Sequence, residues 1–140
     1  KLLNLIDADS EAYNNVLEAY KLPQNTKGEA SIRFKMIDES MKNASNIPFR
    51  TLQCCREVMN YAQEAAKSGN LNSVSDAGVG AEMACAGAHG AALNVKINLE
   101  NIDDIKYCQK MQKETDKLIK EMDNALTIVR KTVSSKIKSV

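Results

Sequence analysis

Apolar residues recur along this chain at spacings of three and four, the repeat of one face of an α-helix. From about Lys1 to Tyr20 the repeat is carried by Leu2, Ile6, Tyr13, Val16, Leu17 and Tyr20. Leu22-Pro23-Gln24-Asn25 then stops it, because a proline cannot continue a helix and restricts the residue before it. A second helix starts at Thr26-Lys27-Gly28-Glu29, which has the spacing of a capping box, and carries Phe34, Ile37, Met41 and Ala44. Pro48 reads as the first-turn proline of a third helix, with Leu52, Cys55, Met59, Ala62 and Ala66 as its stripe and Gly69 as its close. A polar turn, Asn70 to Asp76, leads into a fourth helix of small residues ending near Asn94. The fifth, from about Asp103 to Ser135, keeps its rhythm through Ile105, Cys108, Met111, Thr115, Leu118, Met122, Ala125, Val129 and Val133. At 1.5 Å per residue it is about 45 Å long, so part of its stripe is expected to meet another helix pair or a second subunit. The pattern predicts an all-α multihelical bundle of about five helices, the last long and dimerising.

Composition narrows the function classes. The 140 residues suit a single domain, and 19 Lys+Arg against 18 Asp+Glu give none of the basic excess a nucleic-acid binder needs. The small-residue stretch from Ala77 to Leu93 is broken by Glu82 and His89 and is too weakly apolar to span a membrane. Four scattered cysteines without a CxxC pair fit buried thiols in a reducing cytoplasm, and a single histidine gives no ordinary zinc ligand set.

Certain positions break the helical pattern. Asp9 falls within the stripe of Leu2, Ile6, Tyr13, Val16 and Tyr20, whereas Asp7 falls near the opposite, solvated side. A carboxylate facing a core costs several kcal/mol unless it is paired, hydrogen-bonded or protonated. Asp9 is therefore either a structural carboxylate satisfied by another element or a catalytic one at the mouth of a pocket. In the fourth helix Asp76, Gly80, Met83, Gly87, Gly90 and Asn94 share one face. Helical glycines cost about 1 kcal/mol each against alanine. Close helix packing explains such a strip, and so does a flat ligand held between Asp76 and Asn94. Glu82, His89 and Lys96, spaced by seven, share the other side and read as a solvated or interface face. Ser73 and Ser75 are natural N-caps. Asn70, Asn72, Asn94 and Asn98 flank the same helix, and such amides suit a neutral, hydrogen-bond-rich heterocycle better than a phosphate.

Three segments together resemble a known family. Leu5-Ile6-Asp7-Ala8-Asp9-Ser10-Glu11-Ala12-Tyr13 with Ala19-Tyr20-Lys21-Leu22-Pro23 is similar to the opening of the conserved part of the cyclodeaminase domain of formiminotransferase-cyclodeaminase, a module shared with methenyltetrahydrofolate cyclohydrolases. Gly69-Asn70-Leu71-Asn72-Ser73-Val74-Ser75-Asp76-Ala77 resembles the turn before its small-residue helix, and Asn94-Val95-Lys96-Ile97-Asn98-Leu99 its Asn-Val-x-Ile-Asn-Leu motif. The family also carries an upstream helical segment with a Pro-Gly-Gly-Gly-Ser-Ala-Ala-Ala-like motif. Residues 1–140 contain no such motif, so they are expected to form one cyclodeaminase/cyclohydrolase-like domain without that segment.

The resemblance implies a cytoplasmic, homodimeric enzyme of folate one-carbon chemistry with no metal or redox cofactor. It would hydrolyse 5,10-methenyltetrahydrofolate to 10-formyltetrahydrofolate, or cyclise 5-formiminotetrahydrofolate with release of ammonia. Asp9 would be the acid/base, with Asp7 as second choice. Asn70, Asn72, Asp76, Asn94 and Asn98 would contact substrate, and Lys96 and Arg33 could meet its glutamate carboxylates. The other reading is a catalytically silent helical dimerisation module of the same fold. Neither nucleic acid nor membrane is an expected partner.

Overall fold

The structure, a computed structural model, describes residues 1–137. Its helices are α1 (Leu2–Lys21), α2 (Lys27–Ser68), α3 (Val74–Leu99) and α4 (Ile105–Lys136), with a short 3-10 turn at Leu71–Ser73. Among the described residues there is no strand, and no helix is long and apolar enough to cross a membrane. α2 and α3 pack most extensively; α1 lies on α2, and α4 covers α3 and α2.

Four helices replace the five expected because Pro48 does not start a helix: it lies inside α2, a continuous helix of 42 residues. The capping box at its start is present, with Glu29 N–H donating to Thr26 Oγ1 and the Glu29 carboxylate accepting from Thr26 N–H. At its end Gly69 is required sterically, since a Cβ there would meet the Ala65 carbonyl oxygen at 2.4 Å. A proline within a helix removes one donor and costs about 3 kcal/mol or more. Here the missing donor is the one that would serve the Ala44 carbonyl. Asn98 supplies the replacement from α3, its Nδ2 donating to Ala44 O at 3.0 Å. The preceding turn is reinforced from α4, where the Tyr107 hydroxyl donates to Lys42 O at 3.2 Å and pairs with Ser45 Oγ at 2.8 Å. Lys42 also bridges Asp38 and Asp104, each at 2.9 Å. The Lys42 ammonium beside Asp104, with the Tyr107 N–H, holds that carboxyl below its ordinary range.

α3 is the central helix. Ala81, Ala88 and Val95 are fully buried, and Ala77, Ala84, Ala91 and Leu99 extend the same stripe. Their short side chains let α2 approach with Leu52 and Met59, also fully buried, each adding about 1.5–3 kcal/mol of apolar burial. The buried stripe is thus alanine, not the glycine strip. Gly87 alone of that strip is tightly packed, with its would-be Cβ 3.2 Å from Cys55 Sγ, while Gly80 and Gly90 have no atom within 4 Å of that position.

On α1 the buried residues are Leu5, Ala12, Val16 and Ala19. The expected core stripe is rotated: of its members only Val16 is buried, and Leu2, Ile6, Tyr13, Leu17 and Tyr20 remain exposed. The alanines seat the helix against α2 and turn the larger side chains outward.

α4 spends its stripe within the chain, burying Met111, Thr115, Met122, Leu126 and Val129. Its antiparallel register on α3 is marked by three polar pairs spaced by seven residues on both helices. Arg130 clasps Glu82 at 2.6 and 2.7 Å, His89 Nε2 meets Asp123 Oδ1 at 2.8 Å, and Lys96 meets Asp116 at 3.0 Å. Glu82, His89 and Lys96 are therefore an interface face. Exposed pairs contribute only about 0.2–1 kcal/mol each, so the ladder selects register more than it adds stability.

The Pro48–Asn98 relation is open to a double-mutant cycle followed by urea unfolding. Asn98→Ala should cost about 1–3 kcal/mol by leaving the Ala44 carbonyl without its partner. In a Pro48→Ala background, where the backbone N–H at position 48 can donate instead, the same change should cost at least about 1 kcal/mol less. Equal costs in both backgrounds would remove the assigned role of Asn98.

Candidate active site

Two adjoining cavities lie between α1, α2 and α3, lined in part by the stripe that α1 leaves exposed. The first, about 380 Å³, is lined by Asp9, Tyr13, Tyr20, Met41, Ala44, Asn94, Asn98 and Asn101. The second, about 500 Å³, lies toward the start of α1 and is lined by Leu2, Leu3, Ile6, Pro48, Thr51, Gly87 and Gly90. Asp9 and Asn94 border both. Each volume falls in the range of small-molecule sites.

Asp9 thus stands in an apolar stripe because that stripe faces a cavity. The expected cost of a core-facing carboxylate does not arise, since Asp9 is exposed. Neither its carboxylate nor the Asn94 amide hydrogen-bonds to another side chain or backbone group among the described residues, so both are free to meet a ligand. Asn98 spends one amide hydrogen on Ala44 O, and Asn101 Nδ2 donates to Ile97 O at 3.3 Å. The tyrosine rings supply flat walls and the amides supply donors and acceptors. A polar, planar heterocycle fits such a lining, and a carboxylate at its edge can stabilise a cationic carbon or move a proton.

The remaining sequence candidates lie elsewhere. Asp7 is exposed and outside both cavities. Asp76 is in the first turn of α3, about 27 Å along the helix from Asn94. Asn70 and Asn72 precede that turn, with Asn70 Oδ1 accepting the Asn72 N–H at 3.0 Å. Ser73 holds the N-cap position but donates its hydroxyl to Asn70 O instead of capping α3, and Ser75 lies inside the helix. Lys96 is paired with Asp116, and Arg33 donates to Tyr20 O at the end of α1. Tyr13, Tyr20, Thr51 and Asn101 join the lining beyond the candidates that the sequence offers. Tyr13 and Tyr20 carried a signal, since they share the stripe of Asp9. A group of metal-type donors, Cys85, His89 and Asp123, sits on the α3–α4 seam, outside both cavities.

The family described as formiminotransferase-cyclodeaminase matches residues 1–117. A methenyltetrahydrofolate cyclohydrolase of Methylorubrum extorquens is 39% identical over 136 residues, covering 97% of this chain and 65% of that protein. The chain belongs to the formiminotransferase-cyclodeaminase family. Its similarity extends to a formimidoyltransferase-cyclodeaminase of Mus musculus, 33% identical over 92% of this chain and 24% of that protein. The crystal structure of a formiminotetrahydrofolate cyclodeaminase from Thermotoga maritima superposes with a TM-score of 0.82 at 25% identity, covering 96% of this chain and 63% of that one. The chain spans less than two thirds of the bacterial cyclohydrolase and of the solved cyclodeaminase. Membership of the formiminotransferase-cyclodeaminase family thus rests on nearly the whole of this chain, including the α1 and α3 segments that border the cavities.

Gly80 and Gly90 provide a paired test of the cavities. Replacing either by alanine meets no atom within 4 Å and should stabilise α3 by about 0.5–1 kcal/mol in thermal unfolding. Gly90 lines the second cavity and Gly80 lines neither, so only Gly90→Ala should weaken the binding of a ligand seated there, measured by calorimetry. Equal ligand affinity in both variants would move the ligand away from this groove.

Proposed function

We propose that the protein is a folate one-carbon enzyme acting at the bridge between N5 and N10 of tetrahydrofolate. The observation that carries this reading is the placement of Asp9 and Asn94 on the shared wall of two cavities, beside Asn98 and the two tyrosines. The greater identity to the cyclohydrolase than to the mouse cyclodeaminase favours hydrolysis of 5,10-methenyltetrahydrofolate over ammonia release from 5-formiminotetrahydrofolate.

The methenyl carbon of this substrate is cationic, and a carboxylate beside it stabilises the charge. Water adds to that carbon while Asp9 accepts one of its protons. Asp9 returns the proton to N5 as the carbon–N5 bond breaks. The remaining hydroxyl proton leaves to solvent, giving 10-formyltetrahydrofolate and one released proton. Asn94 and the remaining amide capacity of Asn98 hold the pterin, and Tyr13 and Tyr20 flank its plane. The electrophilic carbon is already present in the substrate, so this chemistry calls on no metal or redox cofactor. Cyclodeamination uses the same groups, with the proton going to the departing nitrogen.

Self-association as a homodimer belongs to the same proposal. Because α4 is covered within the chain, the supporting surface is on α3, where Val79, Met83, Leu93 and Ile97 are exposed, Met83 to 71% and Leu93 to 68%.

Hydrolysis followed by the loss of methenyltetrahydrofolate absorbance, using the native protein, tests the reading. Asp9→Asn should lower kcat by about 10²–10⁴-fold while leaving the fold intact. A fully active Asp9→Asn enzyme would remove Asp9 from the chemistry. An inactive wild-type protein that also releases no ammonia from the formimino substrate would favour the silent helical module. Sedimentation of the same samples should show a dimer, and a monomer alone would contradict the assembly.

A further inference from the structure

The middle rung of the α3–α4 ladder differs from the other two. Its nitrogen partner is an imidazole, and a buried thiol lies beneath it. Cys85 and His89 are four residues apart on one face of α3, and Asp123 faces them from α4. His89 Nε2 is 2.8 Å from Asp123 Oδ1, Cys85 Sγ is 3.7 Å from the same oxygen, and the three donor atoms lie within 4.8 Å of one another. In a tetrahedral zinc site, bond lengths of about 2.0–2.3 Å place neighbouring donors about 3.3–3.7 Å apart. The sulfur–oxygen separation already fits. The imidazole–carboxylate separation must open by about half an ångström. His89 and Asp123 are both about half exposed and can rotate to do so, at 49% and 54% side-chain exposure.

We propose that Cys85, His89 and Asp123 form a binding site for a divalent transition metal of borderline softness, zinc above all. The site lies on the seam of α3 and α4, apart from the folate cavities. Thiolate, imidazole and carboxylate together select such an ion over magnesium or calcium, which prefer oxygen ligands alone. On binding, Cys85 loses its thiol proton to solvent, and the neutral imidazole of His89 takes the tautomer with its hydrogen on Nδ1, so that Nε2 and the Asp123 carboxylate face the ion. The exposed outer side leaves a fourth position for water. Neighbouring Glu82 is already clasped by Arg130, so the local charge next to the site is balanced. A metal here would join α3 to α4 at the centre of their contact.

Cobalt(II) is a direct probe, because a thiolate ligand gives it a near-ultraviolet charge-transfer band and four-coordination gives intense visible bands. Reduced, chelator-treated native protein should bind one equivalent with both signatures. Zinc should displace it and raise the thermal midpoint. Cys85→Ser should abolish the charge-transfer band. His89→Gln and Asp123→Asn alter exposed side chains, preserve the fold, and should each weaken binding by more than about 100-fold. Absence of the thiolate band in the wild type would overturn the proposal, as would its persistence with unchanged affinity in His89→Gln. Neither result depends on folate turnover.

Discussion

Pro48 takes one backbone donor out of the longest helix, and the arrangement of the other elements follows from how the open carbonyl is closed. An unmade bond at a buried carbonyl costs about 1–3 kcal/mol, which is large beside the net stability of a domain this size. Closure by Asn98 places the last turns of α3 against the middle of α2. From the α4 side, Tyr107 and the N-cap Asp104 hold Lys42 in the preceding turn, so three helices converge on one irregularity. The cavities open beside this junction, with Pro48 lining one and Ala44 and Asn98 lining the other. Asn98 therefore belongs both to the fold and to the site.

α3 serves two neighbours with two kinds of small residue. Its alanines are buried against α2, where a side chain one carbon long allows close approach and still contributes apolar burial. Its glycines at positions 80 and 90 meet no atom of the chain, so packing gives no reason for them. Gly90 lines the second cavity, where a bare backbone leaves the space open. A third side of α3 carries the seven-residue ladder to α4, ending the exposed polar row that the sequence displays as Glu82, His89 and Lys96.

Much of this arrangement is legible in the sequence. The helical class, the capping box, the Leu52–Ala66 stripe and the α4 stripe all follow from local periodicity, which is strongest in long helices. Pro48 is a strong local signal for a helix start and so divides α2 in the sequence pattern, whereas the closure of Ala44 O by Asn98 is a contact across 54 residues that periodicity cannot express. The α1 stripe misled for a related reason. Bulky apolar residues normally mark the core, but here Ala12 and Ala19 do so while Ile6 and Tyr13 wall a cavity. Asp9 stands out by its place in that stripe, which gives it access to the cavity rather than burial. Asn70, Asn72 and Asp76 share a family-like segment with no spatial tie to Asp9 within this chain, because sequence order does not measure the length of α3.

The central claim is that the reduced folate lies between α1 and α3 with its one-carbon bridge at Asp9. A crystal structure of the native protein with 5-formyltetrahydrofolate, which has no bridge to open, tests it most directly. The account predicts the pterin between Asp9, Asn94 and Asn98 with its plane along Tyr13. Density for the pterin at the Asn70–Asp76 end of α3, with the cavities beside Asp9 empty of folate, would contradict it.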